Sequence, residues 1–528
     1  MKRRTFLAAS AATLALPSVG RASPVRLLKF IPQTDLPTVD PIWTTAYVTR
    51  NHGYMVFDTL YGQSGHEDGF KAEPQMVAGH VVEDDGKTWK LTLRDGLLFH
   101  NGEKVLARDC VASVRRWGAR DAFGQALMER TNEISAPDDK TIMFRLKQPF
   151  ALLPDALGHG ASVMCAIMPE HIARTDPFKQ FTEVIGSGPF RFKTDERVTG
   201  SLFVYERFAG YKPCEVGQPS FTAGPKIVHF DRVEWHVQPD PATKAASLQA
   251  GEMDWWENPP ADLLPQLRKS NNIAMRVIDT TGGMPLLRPN HLYPPFDKLA
   301  VRRALMGAID QKEFMITAMG DDPSLWSVPV GFFPPLSPLA SNAGMPALNS
   351  KRDYAAVKKA LEVAGYQGEK VVLMVPTDQP TLNAYSNAAF DMLKRVGMNV
   401  DYQATDWGTV VQRRASSKPP AEGGWNLFAT AFSGLDFFSP ASHLLLRGNG
   451  RGAWFGWPDD PKIEELREAW FNASTLGAQK RIGEEIQLRA FQSMPYYPLG
   501  LTRLPTAFRR DITDVEEGFP IFWNVRRA

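Results

Sequence analysis

The chain has 528 residues, 43% of them hydrophobic and 22% charged, with a formal net charge of +2. It is too long for one core of ordinary size and too apolar for disorder, so two or more lobes are expected. The 41 glycines and 41 prolines are scattered, with no low-complexity tract and no fixed-period repeat.

Residues 1–22 combine a basic start, an apolar run from Leu7 to Leu16 and a small-residue site ending at Ala22, the pattern of a cleavable export signal. The run is far short of the roughly 20 residues a membrane span needs. Arg3-Arg4 fits a twin-arginine signal, which exports folded chains, and equally an ordinary secretory signal with a basic start. Cleavage removes Lys2, Arg3, Arg4 and Arg21 but no acid, taking the charge from +2 to −2. A near-neutral mature chain has no electrostatic basis for binding nucleic acid or an anionic membrane.

In VVEDDGKTWKLTLRDG, residues 81–96, Asp85-Gly86 forms a tight turn. Trp89, Leu91 and Leu93 then alternate with polar residues, predicting a half-buried strand of a hairpin. Val111, Val114 and Trp117 recur at helical spacing just after it. Val233, Trp235 and Val237 mark another strand, followed by Asp240-Pro241 at the cap and first position of a helix that Gly251 ends. A helix opening after Asp297 carries Val301, Leu305 and Ile309 on one face. From 353 to 407 the order is helix, strand, the loop PTDQP, helix from about Asn383 to Arg395, and strand, which predicts a βαβ unit with parallel strands. Two amphipathic helices close the pattern, the first with Ile463, Leu466 and Trp470 as its apolar stripe. The fold class expected is α/β.

The common enzyme signatures HExxH, GxSxG and Walker A are missing from the sequence. GNGRGA, residues 448–453, meets a loose dinucleotide pattern, but the following WFGWPDD does not open a helix on which a phosphate would sit. It reads as a turn. Cys110, Cys165 and Cys214 are far apart, read first as core residues, and permit at most one disulfide. No cofactor is expected. His52 and His443 stand singly, without a visible ligand cluster for metal.

Four stretches recur together in one known family: residues 84–117, GSGPFRF (186–192), PPFDKLAVRRALMGAID (294–310), and SGLDFFSP through GWPDDPKIEELREAW (433–470). In this order the chain resembles the bacterial extracellular solute-binding proteins of family 5, the peptide and nickel binding proteins of ABC transporters. The resemblance implies a two-lobed periplasmic binding protein fold, type II, cluster C, with an extra subdomain inserted in lobe 1 and closure on a hinge. Lobe 1 would comprise 23–57, 185–284 and 497–528, the inserted subdomain 58–184, and lobe 2 residues 285–496. It also implies a short peptide or other small ligand, a monomer, and delivery to an ABC permease complex with ATPase subunits at the inner membrane.

The same resemblance assigns candidate ligand-binding residues. Asp436 matches the aspartate that pairs with the ligand's amino terminus in peptide-binding members; capping a turn or pairing with an arginine is the plain alternative. Phe432 and Phe437 flank it and either line the pocket or pack in the core. Trp425 opens the strand leading there, and Tyr47 lies where the first lobe faces the cleft. Gln379 stands where dipeptide binders place the arginine that holds the ligand carboxylate. A glutamine hydrogen-bonds but brings no charge. No residue is expected to be catalytic; a secreted hydrolase with scattered carboxylates and a permease-independent sensory or chaperone-like protein are the competing readings.

Overall fold

A computed structural model of the protein describes residues 25–528; the export signal expected at 1–22 lies outside them. Leu28 and Phe30 point inward from the strand Leu27–Ile31, as Val233 and Trp235 do from Arg232–His236, and these two strands pair in parallel. They are central in a seven-stranded sheet ordered Ile273–Arg276, Thr506–Arg509, Trp255–Trp256, Leu27–Ile31, Arg232–His236, Leu202–Arg207, Phe190–Phe192. Phe30, Trp235, Trp255 and Phe522 meet over it with ring centroids 5.0–5.7 Å apart, contacts worth about 0.5–1.5 kcal/mol each beyond the area they bury.

A second seven-stranded sheet runs Trp326–Ser327, Leu501–Thr502, Gly283–Pro289, Leu427–Ser433, Lys370–Pro376, Asn399–Thr405, with Tyr497–Pro498 also paired to Gly283–Pro289. Lys370–Pro376 and Asn399–Thr405 are parallel and joined by the helix Pro380–Arg395, the βαβ unit the sequence predicts. The helix starts three residues before Asn383, because Pro380 suits a first helical position.

The chain passes from the first sheet to the second between Arg276 and Gly283 and returns between Thr502 and Thr506. Tyr497–Pro498 and Leu501–Thr502, expected in the first lobe, therefore hydrogen-bond into the second sheet. The register explains this, since Gly283 pairs directly with Thr502. At that crossing Gly282 has φ +77°, and a Cβ there would lie 2.7 Å from the carbonyl oxygen of Thr502, so only glycine fits.

Between Leu27–Ile31 and Phe190–Phe192 lies a four-stranded antiparallel sheet, Val77–Glu83, Thr88–Leu93, Thr141–Leu146, Thr131–Ser135. Its hairpin turns through Asp84, Asp85 and Gly86, all with positive φ, while Trp89, Leu91 and Leu93 are buried, in agreement with the alternation. The helix Ala107–Gly118 packs Val111, Val114 and Trp117 inward. Elsewhere Asp240 caps the helix Pro241–Ala250 by accepting from Thr243 N at 2.6 Å, and Gly251 ends it in the left-handed conformation. The helix expected after Asp297 begins at Leu299, with Lys298 in the cap position. All three cysteines are buried free thiols. Among the described residues no helix is long and apolar enough to cross a membrane.

Asp58 stands where the chain leaves the helix Tyr47–Val56 for the inserted sheet. Its carboxylate accepts from Lys226 Nζ at 2.6 Å, Tyr211 Oη at 2.8 Å and Thr59 N at 2.9 Å, with Lys226 fully buried. Removing one partner of a buried pair leaves the other charge desolvated. Asp58→Ala is therefore expected to destabilise the protein by about 3–5 kcal/mol, read from the shift of the urea unfolding midpoint.

Candidate functional site

The two large sheets wall a cavity of about 220 Å³. From the first side come Gln33, just past the strand Leu27–Ile31, Tyr47 and Arg50 on the helix Tyr47–Val56, Lys244 on Pro241–Ala250, and Trp256 and Glu257 at the end of Trp255–Trp256. From the second come Phe432 and Ser433 at the end of Leu427–Ser433, Gln379 and Tyr385 at the helix Pro380–Arg395, and Trp407 and Arg414 at the two ends of Trp407–Arg413. The crossing segments add Asp279, Gly282 and Thr502. The cavity thus sits where a change in the crossings moves its walls apart.

Five charged side chains line it: Arg50, Lys244, Glu257, Asp279 and Arg414. None forms an ion pair with another side chain among the described residues. Glu257 is buried and accepts from Gln33 N at 2.7 Å and Asn51 Nδ2 at 2.8 Å. Asp279 accepts from Thr281 N at 3.0 Å and Thr281 Oγ1 at 2.6 Å. Burial holds both carboxyls above the usual carboxylate range, against the lowering effect of their hydrogen bonds. Lys244 is buried and pulled below the ordinary lysine value by that burial, in spite of Glu257 nearby. Arg50 lies over the rings of Tyr47 and Phe519, at 4.0 and 3.9 Å from their centroids. Its guanidinium hydrogen-bonds to Asn51 Oδ1 next to it in the chain.

Arg414 is 1% exposed. It faces Trp407, Trp454 and Phe455 at 5.3–5.5 Å and donates from Nη2 to Thr45 Oγ1 at 3.2 Å, while its Nε has no hydrogen-bond partner. Burial lowers it from the usual arginine value to about 9. The buried Tyr385 hydroxyl, also in the wall, has no partner either. Among the described residues no three of His, Cys, Asp and Glu converge on a metal-binding position. His52 bonds to Tyr205 Oη at 2.9 Å in the core, and His443 to Phe332 O and Tyr496 Oη at 3.0 and 3.1 Å.

Of the six residues singled out from the sequence, Tyr47, Phe432 and Gln379 line the cavity. Gln379 donates from Nε2 to Gln33 O at 3.0 Å, tying the second side to the first. Trp425 is fully buried behind the wall, packed on Phe428 and Trp457 and donating from Nε1 to Arg414 O at 3.2 Å. Phe437 is also buried, stacked on the His443 ring at 4.1 Å. Asp436 lies outside the cavity lining. One carboxylate oxygen accepts from Tyr47 Oη at 2.6 Å and the other from Ser162 N at 2.9 Å. Tyr47 Oη in turn accepts from Ser433 N. The hydroxyl is thereby enclosed between the helix Tyr47–Val56 and the end of Leu427–Ser433. Sequence reading missed Glu257, Asp279 and Arg414. Glu257 had one legible signal, a lone acid directly after the apolar Trp255-Trp256; Arg414 had none, being one of two adjacent arginines at a helix end.

Comparison with known proteins accords with this architecture. A family model described as bacterial extracellular solute-binding proteins, family 5 Middle, matches residues 71–448. The chain is 34% identical over 526 residues, 98% of each sequence, to a probable peptide ABC transporter periplasmic-binding protein from Sinorhizobium fredii. A periplasmic binding protein from A. tumefaciens R10, solved with agropinic acid, has a TM-score of 0.76 at 20% identity, covering 95% of this chain and 99% of that one. A dipeptide-binding protein from Pseudoalteromonas sp. SM9913, solved with Met-Leu, has a TM-score of 0.76 at 19% identity, covering 95% and 100%. Those two structures share the two-lobed fold.

The Tyr47 hydroxyl joins elements that move apart if the cavity opens. Hydrogen bonds to a charged group contribute about 1.5–3 kcal/mol, so Tyr47→Phe is expected to weaken affinity for a bound solute by about 10–100-fold. The thermal midpoint of the ligand-free protein should move little. Calorimetric titration alongside scanning calorimetry reads both.

Proposed function

The chain belongs to the bacterial extracellular solute-binding proteins of family 5, and on that premise we propose that it is the periplasmic binding component of an ABC importer. It captures a small amine-bearing solute, short peptides included, between two closing lobes and delivers it to a membrane permease with its ATPase subunits. The observation that carries this reading is the cavity enclosed between the sheets, whose carboxylates Glu257 and Asp279 form no ion pair among the described residues, although Arg50 is near both and Lys244 is near Glu257. A buried carboxylate without a cation in contact favours a ligand ammonium group. At about 220 Å³ the cavity is smaller than the roughly 300–1,000 Å³ of drug-sized sites. That size supports a solute of one or two residues over a long peptide.

The lobes in this reading are the two large sheets, with the four-stranded insertion attached to the first, and the hinge is the pair of crossings at 276–283 and 502–506. Asp436 serves closure through Tyr47 and Ser162, and Glu257 and Asp279 take the amine. The protein acts as a monomer exported to the periplasm. Capture and delivery involve no chemical step, which fits a family of substrate-binding proteins.

Native mass spectrometry of protein purified from the periplasm tests the reading directly: an adduct bearing an amine is expected, and a tightly held solute without one would refute the assignment. The pH dependence gives a second test. Because burial raises both carboxyls, protonation begins above the ordinary range near pH 4 as the pH falls. Affinity for the amine should therefore decline on acidification, starting at a pH above that at which an ordinary carboxylate titrates. Glu257→Gln should weaken binding at pH 7 at least tenfold and flatten this dependence, as measured by titration calorimetry.

A further inference from the structure

A second cavity, of about 170 Å³, shares no residue with the one between the large sheets. Phe70, Phe123, Asp155 and His159 line it from the inserted region, and Phe438 and Trp470 from the second sheet's side. The two cavities are neighbours. Ala161 and Leu435 in this wall flank Ser162 and Asp436, which bond to each other and, through Tyr47, reach the first cavity. A single water needs about 10–15 Å³ and a drug-sized ligand about 300 Å³ or more, so the space suits a small organic solute.

Four of these lining residues are aromatic, and two side chains among them lack partners. Asp155 is half-buried and forms no ion pair among the described residues; burial holds its carboxyl above the usual range, against the lowering effect of His159 nearby. Trp470 is 6% exposed, and its Nε1 has no acceptor. His159 and Gln63 in the same wall are engaged. His159 Nε2 stands 3.3 Å from Asp121 Oδ1, and Gln63 accepts from Gly160 N and donates to Phe70 O. Arg467, behind the wall, donates to Pro440 O and to Glu464. Aromatic rings attract a cation but are weak acceptors for N–H groups. A primary ammonium would therefore leave donors unsatisfied here, whereas a fully alkylated nitrogen has none to satisfy.

We propose that this cavity is a second binding site, for a small quaternary ammonium compound bearing a hydroxyl, with its charge between the aromatic rings and the Asp155 carboxylate and its oxygen on Trp470 Nε1. The site goes beyond the carrier reading and does not rest on it. Because its walls come from both sides, an occupant favours their approach. It thereby strengthens binding in the first cavity and is strengthened equally in return.

The test sets choline and tetramethylammonium beside tert-butylethanol, which has choline's shape with carbon in place of the charged nitrogen, and uses sodium chloride as the ionic control. Thermal-shift screening of the full chain, followed by calorimetry, gives the affinities. Choline is expected to bind about 10–30-fold more tightly than the neutral alcohol. D155N should remove most of that preference, W470F should remove choline's advantage over tetramethylammonium, and E257Q should keep both. The alcohol binding as tightly as choline, or no binding of choline, would overturn the site, results that do not depend on any variant folding. So would a D155N protein that retains the preference, or loss of choline binding in E257Q, which would put the cation in the first cavity. The carrier reading survives each of these outcomes, since native mass spectrometry tests it separately.

Discussion

A charge taken out of water needs a partner, and the cavity between the two sheets contains five charged groups with no ion-pair partner among the described residues. Elsewhere buried charges are either paired or met by the backbone, as Arg288 is by the carbonyls of Phe455, Leu445, Pro495 and Trp454. Arg116 donates to both oxygens of Asp40, at 3.0 and 2.6 Å, and Lys226 to Asp58. The cost of an isolated buried ion is several kcal/mol, and in the wall it is offset for Glu257 and Asp279 by two hydrogen bonds each and by the nearby Arg50. Arg414 lacks such compensation: its Nε has no acceptor, and its flanks are aromatic rings and the Thr45 hydroxyl.

Polar and aromatic contacts together hold the sides. Tyr47 reaches Asp436 and Ser433, Gln379 reaches Gln33, and Arg414 reaches Thr45. The inserted region adds Ser162 on Asp436, the Arg130–Glu468 pair, and Phe70 against Phe438 with centroids 5.0 Å apart. Neutral hydrogen bonds such as Gln379 to Gln33 O exchange with water at a net cost of about 0.5–1.5 kcal/mol, and the bond of Tyr47 to the Asp436 carboxylate at about 1.5–3 kcal/mol. Aromatic packing also crosses between the sides at the inserted region, where Phe123 and Phe150 meet Phe471 with centroids 6.2 and 5.8 Å apart.

The elements were legible where a single period governed them. Trp89, Leu91 and Leu93 have one buried face, and the strand-helix-strand run of 370–405 needs a parallel crossover whatever its ligand. Asp436 was legible as an unusual residue, a carboxylate among Gly434, Leu435 and Phe437, but its partner was not. Tyr47 lies 389 residues earlier and meets it only because two sheets face each other. Glu257, Asp279 and Arg414 are likewise distant in sequence, and no local pattern marks a side chain whose importance is the lack of a partner. The extent of the second sheet escaped for a related reason. Its strands Tyr497–Pro498 and Leu501–Thr502 are two residues each, too short for a period to show.

The partners of Asp436 tie the cavity to the contact between the sides. One carboxylate oxygen is taken by the Tyr47 hydroxyl and the other by Ser162 N, and the same hydroxyl accepts from Ser433 N. Tyr47 is thus a wall of the cavity and, through one oxygen atom, the link between the helix Tyr47–Val56 and the end of Leu427–Ser433. A group that enters the cavity and competes for that hydroxyl acts on the link as well, because a phenol oxygen has one proton to give and only two lone pairs to offer.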